Sequence, residues 1–237
     1  WDELAPQLHG RDFRSVLVTN GVLLPEVSPE LLPFHEVQVS LDGLEEGHDY
    51  LRGKGSFRLA LQGLRRALEL GKDVSVATVV HARNLGELRE LGKLLEELGV
   101  MAWSLEYPVP EGRLAQHRWL LPPVEDVVPL LELGWGPGPH EAPGEEGCGT
   151  HMACVTPEGM LVKCGYFREC GGDVREGLRS AWKKLPRKGP PAACIDCPDL
   201  PTCGGGCLYR GLVLSGPGNP DPLACRRRGR EFPAPGG

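Results

Sequence analysis

Between Ser15 and Glu106 short apolar runs alternate with amphipathic stretches. Ser15 to Thr19 (SVLVT) is a β-branched run closed by the turn signal Asn20-Gly21, and Glu36 to Leu41 (EVQVSL) is a second, ended by Asp42-Gly43. Ser56 to Leu70 sets Phe57, Leu61, Leu64 and Leu68 at spacings of three and four with charges between them, which predicts an amphipathic helix. Asp73 to Val80 (DVSVATVV) reads as a third strand. Asn84 to Leu98 reads as a helix, with Asn84 and Glu87 spaced as in a capping box and Leu85, Leu88, Leu91, Leu95 and Leu98 as its apolar stripe. Val100 to Glu106 makes a fourth strand, and Asp2 to Leu8 the remnant of a preceding helix.

Strands alternating with helices at this spacing predict an α/β domain with parallel pairing, either a doubly wound sheet or a barrel. Four strands cannot close a barrel, and an open parallel sheet needs covered faces and managed edges. The pattern starts almost at once, and the chain begins with Trp1 rather than Met. The expectation is therefore a larger α/β domain cut near its start. This domain is assigned to residues 1–114. Residues 115–147 form a bridge broken by Pro122-Pro123 and by Gly134 to Pro139 (GWGPGP), with one short helix at Val124 to Leu133. Residues 148–237 form a third segment, rich in Cys, Gly and turns, with one good helix at Asp173 to Leu185.

The chain has 237 residues, is 41% hydrophobic, and carries 26 Lys plus Arg against 32 Asp plus Glu, a net charge of −6. Its size and apolar content suffice for a core and one or two domains. The acidic balance argues against a nucleic-acid partner, which a basic excess would announce. No stretch has the length and apolarity of a membrane span or signal peptide, so neither a membrane partner nor secretion is expected.

All nine cysteines lie between Cys148 and Cys225. Their odd count, the cysteine-free first half and the missing signal peptide argue against a disulfide framework and for thiolates as metal ligands in a reducing, cytoplasmic setting. The spacing is Cys148-x5-Cys154, Gly159-x4-Cys164, Cys170, then Cys194-x2-Cys197-x5-Cys203-x3-Cys207, and Cys225. Eight thiolates fill two four-coordinate sites and leave one over. Zinc ribbons repeat a Cys-x2-Cys knuckle, and this chain has a single one, beside the glycine run of Cys203-Gly-Gly-Gly-Cys207. Glycines beside ligands let backbone N–H groups approach cluster sulfides, which favours iron–sulfur, although zinc accepts the same four thiolates.

This cysteine pattern resembles that of a SPASM domain: Cys148, then Gly159 to Cys164, then Cys194 to Cys207, then Cys225. The first half resembles the later strands of the radical S-adenosylmethionine partial barrel, a (βα)6 fold. Val18-Thr19-Asn20-Gly21 is similar to its third-strand ending, Val39-Ser40-Leu41-Asp42-Gly43 to its fourth, and Arg52-Gly53 with Gly55-Ser56-Phe57 to the stretch that follows. The family's Cys-x3-Cys-x2-Cys motif does not occur in these 237 residues. The resemblance thus places here the last four βα strands and a small Cys-rich α+β SPASM domain, with strands one and two and the catalytic cluster upstream.

What the resemblance implies is an enzyme, an oxidoreductase or maturase, in which a third 4Fe-4S cluster in the full-length protein cleaves S-adenosylmethionine to a 5′-deoxyadenosyl radical. That radical abstracts hydrogen from a side chain of a peptide or protein substrate. The chain as given is expected to be inactive alone. Thr19, Asn20, Ser40 and Asp42 would face the pocket at the strand ends, with Ser40 near the nucleoside and Arg52 near the carboxylate or ribose; Asn20-Gly21 and Asp42-Gly43 are equally ordinary turns. Members with an extra early cysteine suggest that Cys148, Cys154, Cys164 and Cys207 hold one auxiliary 4Fe-4S cluster. Cys194, Cys197, Cys203 and Cys225 would hold a second, and Cys170 is left a free thiol. The basic run Arg226 to Arg228 with Arg230 is a solvated face or a dock for a ferredoxin or flavodoxin reductant. The rival readings are a non-catalytic iron–sulfur electron-transfer or binding module and a zinc-stabilised interaction domain.

Overall fold

A computed structural model describes residue 3 and residues 5–8, 10–29, 32–136 and 152–231. The chain divides into two compact units, Trp1–Pro139 and His140–Gly237. After a single helical turn, α1 (Ala5–Leu8), the first unit is built on one sheet of four parallel strands: β1 (Val16–Thr19), β2 (Glu36–Ser40), β3 (Asp73–Val79) and β4 (Ala102–Glu106). Their order is β1-β2-β3-β4, each strand beside its neighbour in sequence. The register pairs Thr19 with Val39, Ser40 with Ala77 and Val79 with Glu106, so the four carboxyl-terminal ends line one edge.

Helices α2 (Glu45–Arg52) and α3 (Ser56–Glu69) connect β2 to β3, and α4 (Leu88–Glu97) connects β3 to β4. The inner strands are buried on both faces, with Val37, Gln38 and Val39 in β2 and Val74, Ser75 and Val76 in β3, as parallel strands covered by helices require. Gln38 and Ser75, polar in this core, are in hydrogen-bond contact across the strands. Helix α5 (Val124–Leu131) packs on β4, and the buried Trp103 of β4 meets Trp135 edge to face at 5.4 Å.

Three predicted details change. The buried face of α3 is Phe57, Ala60, Gly63, Leu64 and Ala67, while Leu61 and Leu68 sit at its margins. The helix turns its small residues to the sheet side because its backbone passes very close to the loop after β1: a Cβ on Gly63 would lie 2.0 Å from the Gly21 carbonyl oxygen. Helix α4 begins at Leu88, not Asn84, because the Asn84 side chain is engaged elsewhere and the capping-box pair does not cap. The predicted helix from Asp173 is a 3-10 turn at Val174–Glu176 followed by α6 (Leu178–Lys184), interrupted at Gly177, whose φ of 126° is not helical.

The second unit holds an antiparallel three-stranded sheet, β5 (Cys154–Val155), β6 (Met160–Val162) and β7 (Cys170–Asp173), with α6 against β7. Three short helices follow: α7 (Leu200–Cys203), α8 (Leu208–Ser215) and α9 (Pro222–Arg227). No helix among the described residues is long and apolar enough to cross a membrane.

Gly63→Ala is expected to destabilise the first unit by about 1–3 kcal/mol, the usual cost of overpacking, because the carbonyl it meets is backbone and cannot swing aside. Urea denaturation checks this, and an unchanged midpoint would contradict the close approach.

Candidate functional site

The strand ends of the first unit gather the residues singled out at Thr19, Asn20, Ser40, Asp42 and Arg52. Thr19 closes β1 and its hydroxyl accepts the Gly21 N–H at 3.1 Å; the exposed Asn20 accepts the Val22 N–H at 3.1 Å, so both side chains shape the turn. Ser40 is half-buried at the end of β2. Asp42 is wholly buried. One of its carboxylate oxygens accepts the Val79 N–H at 2.8 Å and the other takes the Nε–H of Arg52 at the far end of α2, so its oxygens are committed within the protein. Arg52 keeps 30% of its side chain exposed and presents the outer part of its guanidinium beyond this pair.

Helix α2 is fixed at its other end as well. Glu87 accepts the Leu44 N–H at 2.7 Å and the Gly47 N–H at 3.0 Å, supplying a carboxylate to helix-terminal donors that no local cap satisfies. The buried Asn84 accepts the His81 N–H at 2.8 Å and donates to the carbonyls of Val79 and Asp42, tying the loops after β2 and β3 together. These are the two residues that sequence spacing assigned to a capping box. Two histidines are enclosed in the same layer: His48 Nδ1 accepts the Asp42 N–H at 3.0 Å, and His81 Nδ1 accepts the Arg83 N–H at 3.2 Å. Burial holds both imidazoles below the ordinary histidine pKa, although the Asp42 carboxylate pulls the other way.

In the second unit Cys194, Cys197, Cys203 and Cys225 line one pocket, together with Asp199, Leu200, Gly205, Pro220, Arg228 and Arg230. These four thiols come from three separate elements: the turn before and after Cys194, the end of α7, and α9. Burial, reinforced by the neighbouring Cys194 and Cys203 sulfurs, pushes the Cys225 thiol up to about 11, and burial likewise raises Cys194. Four thiolates crowded in this way repel one another unless a cation lies among them, and the donor set suits a soft, thiolate-binding metal centre. Among the described residues no three His, Cys, Asp or Glu side chains are placed to hold one metal ion.

The other set is partly in view. Cys148 lies outside the described residues. Cys154 pairs across the sheet with Val162, and Cys164 follows two residues after it. Tyr166 and Tyr209 stack at 5.1 Å, each two residues after a cysteine of this set, so the Cys164 loop lies against the start of α8, where Cys207 stands. The sulfur of Cys164 accepts the Phe167 N–H at 3.3 Å, and that of Cys207 accepts the Arg210 N–H at 3.5 Å from the positive end of α8. Cys170 is exposed, and its sulfur accepts the Gly172 N–H. All eight described cysteines are free thiols.

Sequence reasoning missed Asp221. It is fully buried, caps α9 through the Leu223 N–H at 3.1 Å, accepts the Cys207 N–H at 3.0 Å and takes Arg210 as a two-point partner, with Nε at 2.8 Å. One carboxylate thus ties the backbone of Cys207 to the helix carrying Cys225. Its signal was present as Asp221-Pro222, a cap residue followed by proline at the first helical position. Gly206, at φ 69°, lets these segments meet, since a Cβ there would lie 2.6 Å from that of Ala224.

No protein-family model matches the chain. The chain is 27% identical over 239 residues to the mycofactocin maturase MftC of Mycolicibacterium smegmatis, covering 84% of this chain and 61% of that protein. It is 37% identical over 211 residues to the AdoMet-dependent heme synthase of Methanosarcina barkeri, covering 72% of this chain and 60% of the relative. The chain therefore spans under two thirds of the length of these curated relatives. Its fold is similar to that of native anSMEcpe with bound AdoMet and Cp18Cys peptide, with a TM-score of 0.57 at 13% identity over 91% of this chain and 72% of that one.

Asp221→Ala strips Arg210 and the Cys207 N–H of their partner and is expected to cost about 3–5 kcal/mol, read as a lower denaturation midpoint; a change within error would contradict the role given to this carboxylate. His48 and His81 are depressed in the folded state, so the unfolded chain takes up protons first. Their contribution is complete above about pH 6.5 and is lost as pH falls below it. Urea midpoints measured from pH 8 down to pH 5.5 should fall, with a shallower slope in His48→Gln; identical slopes would rule out the buried neutral imidazole.

Proposed function

We propose that the chain, similar in sequence to mycofactocin maturases and in fold to anSMEcpe, carries a cofactor-binding arc and two auxiliary iron–sulfur sites of a radical S-adenosylmethionine peptide maturase. The single observation that carries this reading is the convergence of Cys194, Cys197, Cys203 and Cys225 on one pocket, which supports their serving as the ligands of a 4Fe-4S cluster. Cys148, Cys154, Cys164 and Cys207 are assigned the other cluster. For these, the packing of the Cys164 loop on the Cys207 helix is the support. The units 1–139 and 140–237 are read as the barrel part and the SPASM part.

The parallel order β1-β2-β3-β4, with no reversal of direction along the sheet, supports an arc of a (βα)6 barrel rather than a doubly wound sheet, whose order turns back at a switch point. Such an arc presents ligands at the carboxyl ends of its strands. There Ser40 and Arg52 are the groups left available to S-adenosylmethionine, while Asp42, wholly buried, holds Arg52 in place; Thr19 and Asn20 set the neighbouring turn. When bound and reductively cleaved, S-adenosylmethionine supplies the radical that removes hydrogen from substrate; the protein orients it and excludes water. A peptide or protein side chain is the proposed substrate, and a ferredoxin or flavodoxin the reductant. The 37% identity to an AdoMet-dependent heme synthase favours, as a second reading, a tetrapyrrole substrate for the same machinery.

Anaerobic reconstitution with ferrous iron and sulfide is expected to load about eight irons per chain, two 4Fe-4S clusters. Replacing Cys194, Cys197, Cys203 and Cys225 by Ala should remove about four of them and leave the second cluster's absorption. Zinc without acid-labile sulfide in the purified protein would overturn the assignment.

A further inference from the structure

The pocket that gathers four thiols also gathers charge. Arg228 and Arg230 line it, and so does Asp199. The amides of both arginines donate to the carbonyl of Cys225 at 3.0 Å, which turns the chain back on itself after α9 and sets the two residues beside that ligand. Arg230 is then held by Asp199, Nε to Oδ2 at 2.7 Å, and the Asp199 carbonyl accepts the Cys203 N–H at 2.8 Å. The ion pair therefore joins the backbone of one thiol-bearing segment to that of another. The lining carries two cations against one carboxylate, a net excess of one positive charge at a pocket built from thiols.

We propose that Arg228, Arg230 and Asp199 set the reduction potential of the cluster held by Cys194, Cys197, Cys203 and Cys225, the two guanidiniums raising it and the carboxylate lowering it. This rests on the iron–sulfur reading of the pocket given above. A cluster bound by four thiolates is anionic, and accepting one electron makes it more so. A fixed cation nearby favours the reduced form and a fixed anion opposes it. The Arg230 guanidinium is held by Asp199, so its charge is fixed in place, and the backbone of Arg228 is set beside the same ligand by its bond to the Cys225 carbonyl. The positive rim also matches an anionic electron donor in sign.

The test is an EPR-monitored titration of the anaerobically reconstituted full chain, with dithionite supplying the single electron. The signal followed is the one that disappears in Cys225→Ala. Arg228→Gln and Arg230→Gln should each shift the one-electron equilibrium about threefold to tenfold toward the oxidised cluster, where tenfold is about 59 mV. Asp199→Asn should shift it the other way, and Arg230→Lys, which keeps the charge, should restore most of the wild-type value. Raising the ionic strength should shrink every shift, because the side chains of Arg230 and Asp199 are 47% and 30% exposed. Opposite signs for the arginines and the aspartate are what a merely structural role would not produce. Full iron and sulfide loading with all four potentials equal to wild type would overturn the proposal and leave the cluster assignment standing. Failure of the wild-type chain to load iron would overturn both. If a Gln variant loads poorly, Arg230→Lys and Asp199→Asn decide: the expected pattern is an unmoved potential in the first and a raised one in the second, and anything else contradicts the proposal.

Discussion

The second unit is short of apolar material, and everything else about it answers that constraint. Among the described residues its buried side chains other than proline that are apolar are Leu161, Val162, Ala181, Cys194, Cys203 and Leu223, whereas the first unit buries more than twenty such residues from Ala5 to Val127. A segment of this size without an aliphatic core needs another source of cohesion, and bonds from thiolates to a shared inorganic centre are the strongest that these residues can make. Two of the six are themselves cysteines of the four-thiol pocket. The same atoms that fill the interior are those that repel one another when ionised, so a metal centre held there, as proposed above, would couple its binding to the folding of this half of the chain.

Hydrogen bonds from acidic residues hold the thiol-bearing segments together. Asp221 reaches the Cys207 amide, the amino end of α9 and Arg210 together, and Asp199 joins the Cys203 amide to Arg230 through its backbone and side chain. In the first unit the equivalent work is done around the strand ends, where Glu87 and Asp42 pin opposite ends of α2 and Asn84 bridges two loops. In both places a buried acid fixes the backbone of a residue near the expected chemistry. Preorganisation of this kind is what a cofactor site requires of its scaffold.

The four strands were legible because hydrophobic burial writes a period into the sequence, and they appear within two residues of where the pattern places them. Helix α2 was not legible: its buried residues are Gly47 and His48, so it shows no apolar stripe and is held by Glu87 and Asp42 from outside. Asn84 and Glu87 have the spacing of a local cap, yet the structure uses both for contacts more than 35 residues away, to Asp42, Leu44 and Gly47. Local spacing cannot reveal such reassignment. Cys194, Cys197, Cys203 and Cys225, grouped by the family resemblance alone, line one pocket, while the sheet of β5, β6 and β7 was hidden by strands only two to four residues long.

X-ray absorption at the iron edge of the anaerobically purified chain decides whether the thiols hold clusters. Iron surrounded by sulfur with a second shell of iron scatterers, lost in part when the four pocket cysteines are replaced, is the expected result. An iron-free protein, or a metal surrounded by sulfur with no metal neighbour, would contradict it.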